Sequence, residues 1–560
     1  MEKIEITKGE CMSYSRRNFL KSTVIASGAL GVSPFITNVS NIYAKTNRGM
    51  TFIPYPHKWM PPINFVYLAD ESDDPFYSDV TVNSDGINIP DNLGSKKFSV
   101  NTRWFIEGFG YIYLSADNGG EFYTHKDFSK SLNLNYEFAK SRITRNSNVK
   151  KRYQKSGIIF SAEVNYLSDL SENLFEDATK NINNGNKCGE ISNNCLMYAL
   201  WAGEKIELEF AKFNILKYKR KEQVHFGCET RQYIWAKSED MTKRFVELFN
   251  FATITHYVWD TWYEVFEPRE GVYNWGIKDN IVNWLSDNNI QIEGRPLFWF
   301  HPVVTPDWLK DKNYSQVKDY VKKHTQDLVS HYGDKISSWE VINEHHDWAN
   351  VHNHTEDQIT EIARLALNTT KETNPNVKRL INNCCPWAEY AARGRFARQK
   401  EQAGRPLRSP RKFIEDLVEA GVEFDILGVQ IYFPYRDLSD IVRKLESFEK
   451  FNKPIYITEI GASAGYDEQS IKLDQADIED APYDWHRRWD EELQADWLEE
   501  VFTLYYSRQN IKAINWYDFS DFRPFIRNGG LVREDATPKR SYYRLQELLK
   551  SWNHLPGQKS

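Results

Sequence analysis

The sequence predicts an α/β protein, a (β/α)8 TIM barrel preceded by an N-terminal β-sandwich. Two observations carry this. From residue 223 to about 555, apolar strand-like runs alternate with helical segments, and there are eight such runs. Before them, residues 50–222 hold short strand-like runs separated by turn signals. A chain of 560 residues, 41% hydrophobic and 27% charged, can bury a large core and is neither disordered nor of low complexity. Its net charge of −7 gives no electrostatic footprint for nucleic acid. The aromatic content, 14%, fits buried rings or a sugar-binding cleft equally.

The leader comes first. Ser15-Arg16-Arg17-Asn18-Phe19-Leu20-Lys21 resembles the twin-arginine export signal. The weakly apolar stretch behind it, broken by Gly28 and Gly31, falls short of the ~20 residues that a membrane span needs. Residues 1–45 are therefore read as a signal peptide cleaved near Ala44. The mature protein is expected to be periplasmic or secreted, off the membrane, with the export machinery as its partner during secretion. Cys11 lies in the leader. Cys188 and Cys195 flank an Asn-rich stretch and could close a small disulfide in an oxidising compartment, whereas vicinal Cys384 and Cys385 are expected to stay reduced. No Cys/His spacing suits zinc, so no metal or cofactor is expected.

Within 50–222 the expected strands are Phe98–Val100, Tyr111–Leu114 before the Asp117–Gly120 turn, Gly157–Val164 and Lys205–Leu216. Lys205–Phe210 alternates with period two. This domain either binds carbohydrate or packs beside its neighbour. In 223–555 the strand-like runs are 224–227, 251–254, 291–294, 338–342, 379–382, 426–430, 455–458 and 513–516. An open doubly wound sheet is the runner-up, but no glycine-rich phosphate loop follows any strand.

Two carboxylates close strands of this pattern, Glu344 after the fourth and Glu459 at the seventh. A charged group at the mouth of an apolar strand costs desolvation unless it is paired or used. Trp339-Glu340-Val341-Ile342-Asn343-Glu344 resembles the acid/base motif of family 10 glycoside hydrolases, the endo-β-1,4-xylanases, and Ile455–Glu459 resembles their nucleophile motif. Glu267-Pro268 with Gly271, Tyr273, Asn274 and Trp275, the segment Gly294–Trp308, and Leu531–Tyr543 resemble further family segments in the same order.

The resemblance implies a retaining double displacement without cofactor on a polysaccharide, xylan first. Its two carboxyls should stand about 5–5.5 Å apart across the bond. Glu344 would be the general acid and base, Glu459 the nucleophile, and Asn343 a ligand of the sugar 2-hydroxyl. Arg295, Trp299, His301, Gln430, Tyr432 and Trp516 complete the expected substrate-binding set.

Several positions depart from the family. Arg295 and Tyr432 stand where it has histidines, His301 comes one place late, and Thr253–Glu264 offers His256, Trp259, Asp260 and Trp262 in place of an Asn-Lys pair. These departures admit an acidic or branched plant or algal β-glycan as substrate. A carbohydrate-binding protein that has lost catalysis is a further alternative, opposed by the presence of both glutamates. The basic segment Arg393–Lys412 is either a lid that attracts uronate or sulfate groups or a solvated insertion, and acidic Gly465–Asp490 follows the nucleophile strand.

Overall fold

The computed structural model describes residues 49–556 except 57–62, 64–65, 219, 221, 235–237, 261–264, 398, 400, 433–434 and 466–483. These residues belong to one compact unit, Arg48–Ser560. The twin-arginine segment, its cleavage site, Cys11, Trp262, Arg398, Lys400 and most of the acidic 465–490 segment lie outside the described residues.

Residues 50–133 form two small sheets. Strands β1 (Met50–Ile53), β4 (Thr81–Asn83), β5 (Gly86–Ile89) and β9 (Ser131–Asn133) make one, in the order β4-β5-β1-β9. Strands β2 (Tyr67–Ala69), β3 (Pro75–Phe76), β6 (Lys97–Ile106), β7 (Gly110–Ala116) and β8 (Tyr123–Thr124) make the other, with β3-β2-β6-β7 as its main path. The rest of the N-terminal region is helical and corrects the sandwich expectation. Helices α1 (Leu134–Gln154), α2 (Ala162–Lys180) and α3 (Gly185–Lys217) follow the sheets.

The two expected strands at Gly157–Val164 and Lys205–Leu216 are thus the entry to α2 and the last turns of α3. Six alternating residues are too few to fix a period. Over the whole of α3 the buried positions 188, 189, 192, 195, 196, 199, 200, 202, 203, 204, 206, 207 and 211 recur mostly at three- and four-residue spacings, the period of a helix and not of a strand. The same helix overturns the Cys188–Cys195 disulfide. Seven residues along a helix rise about 10.5 Å, beyond the Cα reach of that bond. Both thiols are free and buried, and Cys195 Sγ donates to the Ser171 carbonyl at 3.2 Å.

All eight predicted barrel strands form. They are β10 (His225–Glu229), β11 (Phe251–Thr255), β12 (Gln291–Arg295), β13 (Ser338–Asn343), β14 (Lys378–Asn383), β15 (Ile426–Tyr432), β16 (Ile455–Gly461) and β17 (Ile511–Trp516). They close in sequence order, all parallel, with β10 against β17. The helices between them start on clear caps. Asn313 with Gln316 and Thr355 with Gln358 form capping boxes before helices at Tyr314–Tyr332 and Glu356–Thr373, and Ser409 caps one that opens on Pro410.

Inside the ring, Phe251, Leu380, Ile426, Tyr456 and Ala513 form an apolar plug contributed by the early strand positions. Beyond it the interior turns polar: Glu293, Arg295, Glu340, Asn382 and Thr458 are all buried. Trp339 faces the other way, into the outer core, and fits because residue 294 is glycine. A Cβ there would lie 2.3 Å from the Trp339 ring.

The helical bundle is fastened to the barrel by a buried Arg142–Asp437 pair, with contacts of 2.9 and 2.5 Å. Glu204 of α3 adds to this seam, accepting from the Leu438 N–H and from the Trp485 indole, both at 2.9 Å.

Candidate active site

Glu344 is the first residue past β13, where the pairing with β14 slips between Glu340 and Ile342. Its φ of +54° is left-handed, unusual for a side chain bearing a Cβ. The turn is held by the Glu344 N–H donating to the Asn382 carbonyl and by the Ala349 N–H donating to the Glu344 carbonyl, each at 3.0 Å. Strain at a charged strand end is a mark of functional sites. The carboxyl is 6% exposed and takes one donor on each oxygen, Gln430 Nε2 at 2.8 Å and the Trp299 indole at 2.7 Å.

Burial pushes the pKa of Glu344 up to about 7, helped by the negative charge of Glu459 and opposed by the two donors. Gln430, whose amide holds Glu344, lies opposite Glu459 in the pairing of β15 with β16.

Glu459 lies within β16, whose pairing with β17 slips between Ile457 and Ile460. One oxygen faces the Arg295 guanidinium and, at 3.4 Å, Asn382 Nδ2. The other accepts from the Tyr432 hydroxyl at 2.5 Å. Burial holds that phenol well above its ordinary pKa, so Tyr432 keeps its proton as a donor. Arg295 is also 3.3 Å from Glu340, and Asn382 bridges Glu340 and Glu459.

Of the sequence-predicted residues, the structure brings Glu344, Glu459, Asn343, Trp299, Gln430 and Tyr432 together. Gln430 also donates to Asn343 Oδ1 at 3.3 Å. Three others sit differently from the expectation. Arg295 is fully buried with its charge turned inward onto Glu340 and Glu459, so it supports the carboxylate instead of facing a sugar. His301 is buried beside Trp299, their rings stacked 4.6 Å apart, and holds the Val303 N–H through Nδ1. Trp516 is fully buried against Trp497 and donates to the Gly529 carbonyl at 2.9 Å. Its neighbour Tyr517 faces the site instead, beneath Arg295 and Tyr432, because one step along a strand reverses the side chain.

The later part of the basic segment is paired within the protein. Arg405 and Arg408 pair with Asp347, Arg411 pairs with Asp74, and Lys412 pairs with Glu415 and Asp416. His346 bonds the Tyr390 hydroxyl at 2.7 Å, and among the described residues no group of three or more His, Cys, Asp or Glu is placed to hold a metal ion. Glu267, in the Glu-Pro motif, is a buried structural anchor that accepts from Tyr320 and from the Gly271 N–H.

Sequence reading missed Glu340, Asn382, Tyr257 and Tyr517. Tyr257 packs 5.0 Å from Trp299, next to the hydroxyl of Tyr517. Inward alternation gave a usable signal for Glu340, a charge inside an apolar strand, and for Asn382 at the end of one.

The model of glycosyl hydrolase family 10 matches residues 216–547. An endo-1,4-beta-xylanase B of Thermotoga neapolitana is 23% identical over 351 residues, covering 58% of this chain and 88% of that protein. An endo-1,4-beta-xylanase C of Paenibacillus barcinonensis is 24% identical over 262 residues, 41% of this chain but only 23% of its own length. Among solved structures, native xylanase 10B from Thermotoga maritima aligns at 21% identity with a TM-score of 0.45, covering 59% of this chain and 95% of that one.

Proposed function

Because this chain belongs to glycosyl hydrolase family 10 and is a glycosidase, we propose that it cleaves β-1,4-linked xylan or a related polysaccharide by a retaining double displacement. Glu344 is the general acid and Glu459 the nucleophile. The observation that carries this reading is the unequal treatment of two carboxyls in one pocket. Burial and a neighbouring charge hold Glu344 protonated up to about pH 7, while Glu459 sits against a buried guanidinium.

In the first step Glu344 gives its proton to the glycosidic oxygen as that oxygen leaves, and Glu459 attacks the anomeric carbon to form a glycosyl ester. Esterification removes the charge of Glu459. One of the forces raising Glu344 then disappears, and Gln430 and Trp299 hold it as the carboxylate it has become. In that state it takes a proton from water, whose oxygen displaces Glu459 from the sugar. With the oxygen of its amide engaged by Gln430, Asn343 offers its NH2 to the 2-hydroxyl.

The test is reducing-sugar release from a panel of β-glycans by wild type and Glu459→Ala, with the anomer of the first product read by NMR. Retention in the wild type and loss in the variant are expected. Inversion, or equal activity of the two proteins, overturns the assignment. Residues 15–21 support export through the twin-arginine route to the periplasm or medium. Replacing both Arg16 and Arg17 with lysine should hold the protein in the cytoplasm, and unchanged export would refute that route.

A further inference from the structure

The two glutamates stand on β13 and β16 of a closed ring of eight strands. A sugar chain whose scissile bond lies between them runs across the line that joins them. It must leave the barrel mouth over β14 and β15 on one side, and over β17, β10 and the strands beyond on the other. The first exit is occupied by the N-terminal sheet β3-β2-β6-β7.

Asp74, just before β3, accepts from Ser409 Oγ at 2.6 Å and pairs with Arg411, both beyond β14. Tyr67 of β2 accepts from Arg436 Nη2 at 2.7 Å, and the Tyr113 N–H of β7 donates to the Tyr435 carbonyl at 2.9 Å, both partners lying beyond β15. The Arg436 guanidinium lies 4.1 Å from the Tyr113 ring and 5.0 Å from that of Trp387, and Glu389 holds it at 2.8 Å. Past β16 the same sheet continues, with the Tyr111 N–H donating to the Asp484 carbonyl at 2.9 Å. Tyr67, Ala69 and Tyr113 belong to one buried cluster with Tyr432 and Tyr517, and the Tyr432 hydroxyl rests on Glu459.

This seam is built as a wall. The rings of Tyr67, Tyr113 and Tyr435 and the guanidinium of Arg436 are buried, and opening the seam would expose them to water. A polymer cannot lie through a cleft that is walled at one end. It can only enter end first.

We propose that the N-terminal sheet makes this enzyme act on chain ends, releasing a short fragment of fixed length instead of cutting within the polymer. The inference rests on the glycosidase reading above. The experiment uses the full mature chain on polymeric xylan and on reducing-end-tagged linear xylo-oligosaccharides of several lengths. Reducing ends should accumulate with little loss of viscosity. Every tagged oligosaccharide should yield the same short fragment from one fixed end.

A rapid fall in viscosity with a ladder of products from the outset overturns the inference and leaves the glycosidase reading standing. No hydrolysis of either substrate overturns the xylan reading and this inference with it. The double variant Tyr67→Ala/Tyr113→Ala, assayed below its melting temperature, should lower the viscosity of xylan more per bond cleaved than wild type does. A folded variant with the wild-type product pattern refutes the wall. If the variant does not fold, the wild-type pattern alone decides.

Discussion

Glu344 has two hydrogen-bond donors that favour its carboxylate form, Gln430 at 2.8 Å and Trp299 at 2.7 Å. Both oppose the burial that raises its pKa to about 7. As general acid, Glu344 must be protonated, so kcat/KM should fall as pH rises through that value. Trp299→Phe keeps the ring and removes the indole N–H, and Gln430→Leu removes the amide. Either change destabilises the carboxylate and should move the alkaline limb upward. A hydrogen bond to a charged group contributes about 1.5–3 kcal/mol, and one pKa unit is about 1.4 kcal/mol, so each shift should be about 1–2 units. The variants are expected to be slower at their optimum yet to keep a larger fraction of their activity above neutrality. The assay is a pH profile of kcat/KM on a xylo-oligosaccharide, repeated with an aryl glycoside whose leaving group needs no proton. The alkaline limb should vanish with the aryl substrate. A limb that stays put in both variants, or moves down, would show that Glu344 is not the acid being titrated.

Other outcomes follow from the same contacts. Glu344 titrates higher in the folded chain than the ordinary 4.5, so the fold binds the extra proton and loses stability as pH rises from about 4.5 through about 7. The melting temperature of wild type should therefore drop relative to Glu344→Gln across that window, by the equivalent of about 3 kcal/mol, and a pH-independent difference would contradict it. Arg295→Met strips the buried counter-charge from Glu459 and should cost about 3–5 kcal/mol in urea unfolding, with part recovered when Glu340→Gln is added. Gly294→Ala places a methyl 2.3 Å from the Trp339 ring and should destabilise by about 1–3 kcal/mol, so an unchanged unfolding midpoint would show that β12 shifts freely.

The barrel was legible because its strands are continuous apolar runs, buried on both faces, and no competing period obscures them. The candidate pair, Glu344 and Glu459, stood out because a charge at the end of such a run has few inexpensive explanations. The helices of the N-terminal region were not. α1 and α3 carry polar and apolar residues on most sides, and they bury groups such as Asn135, Glu204 and Glu207 that sequence reasoning places outside. Their polar groups are satisfied by partners far along the chain. Asn135 bonds both the N–H and the carbonyl of Tyr55, and Glu204 reaches Leu438 and Trp485. Trp516 was misread for a narrower reason. The resemblance marked a tryptophan at a strand end, but the strand's alternation sends Trp516 outward to Trp497 and leaves Tyr517 facing the pocket.

The exchange of a histidine for Arg295 bears most directly on how the site works. Glu293, Glu340, Glu344 and Glu459 are among the carboxyls buried in the upper barrel, and Arg295 stands among them with both Glu340 and Glu459 in contact. Arg295 cannot compensate all of them in a medium of low dielectric, and burial favours the protonated form of those it does not reach. Burial does push Glu293 and Glu344 up to about 7, and it raises Glu340 well above the ordinary carboxylate range. Glu459 receives the guanidinium and the Tyr432 hydroxyl together, a donor set the other three lack. On the proposed mechanism, this donor set singles out Glu459 as the nucleophile among chemically identical side chains. A neutral histidine at this position would supply a hydrogen bond but no fixed charge. Here the arginine keeps its charge, so on the proposed mechanism the alkaline limb of activity reports the titration of Glu344.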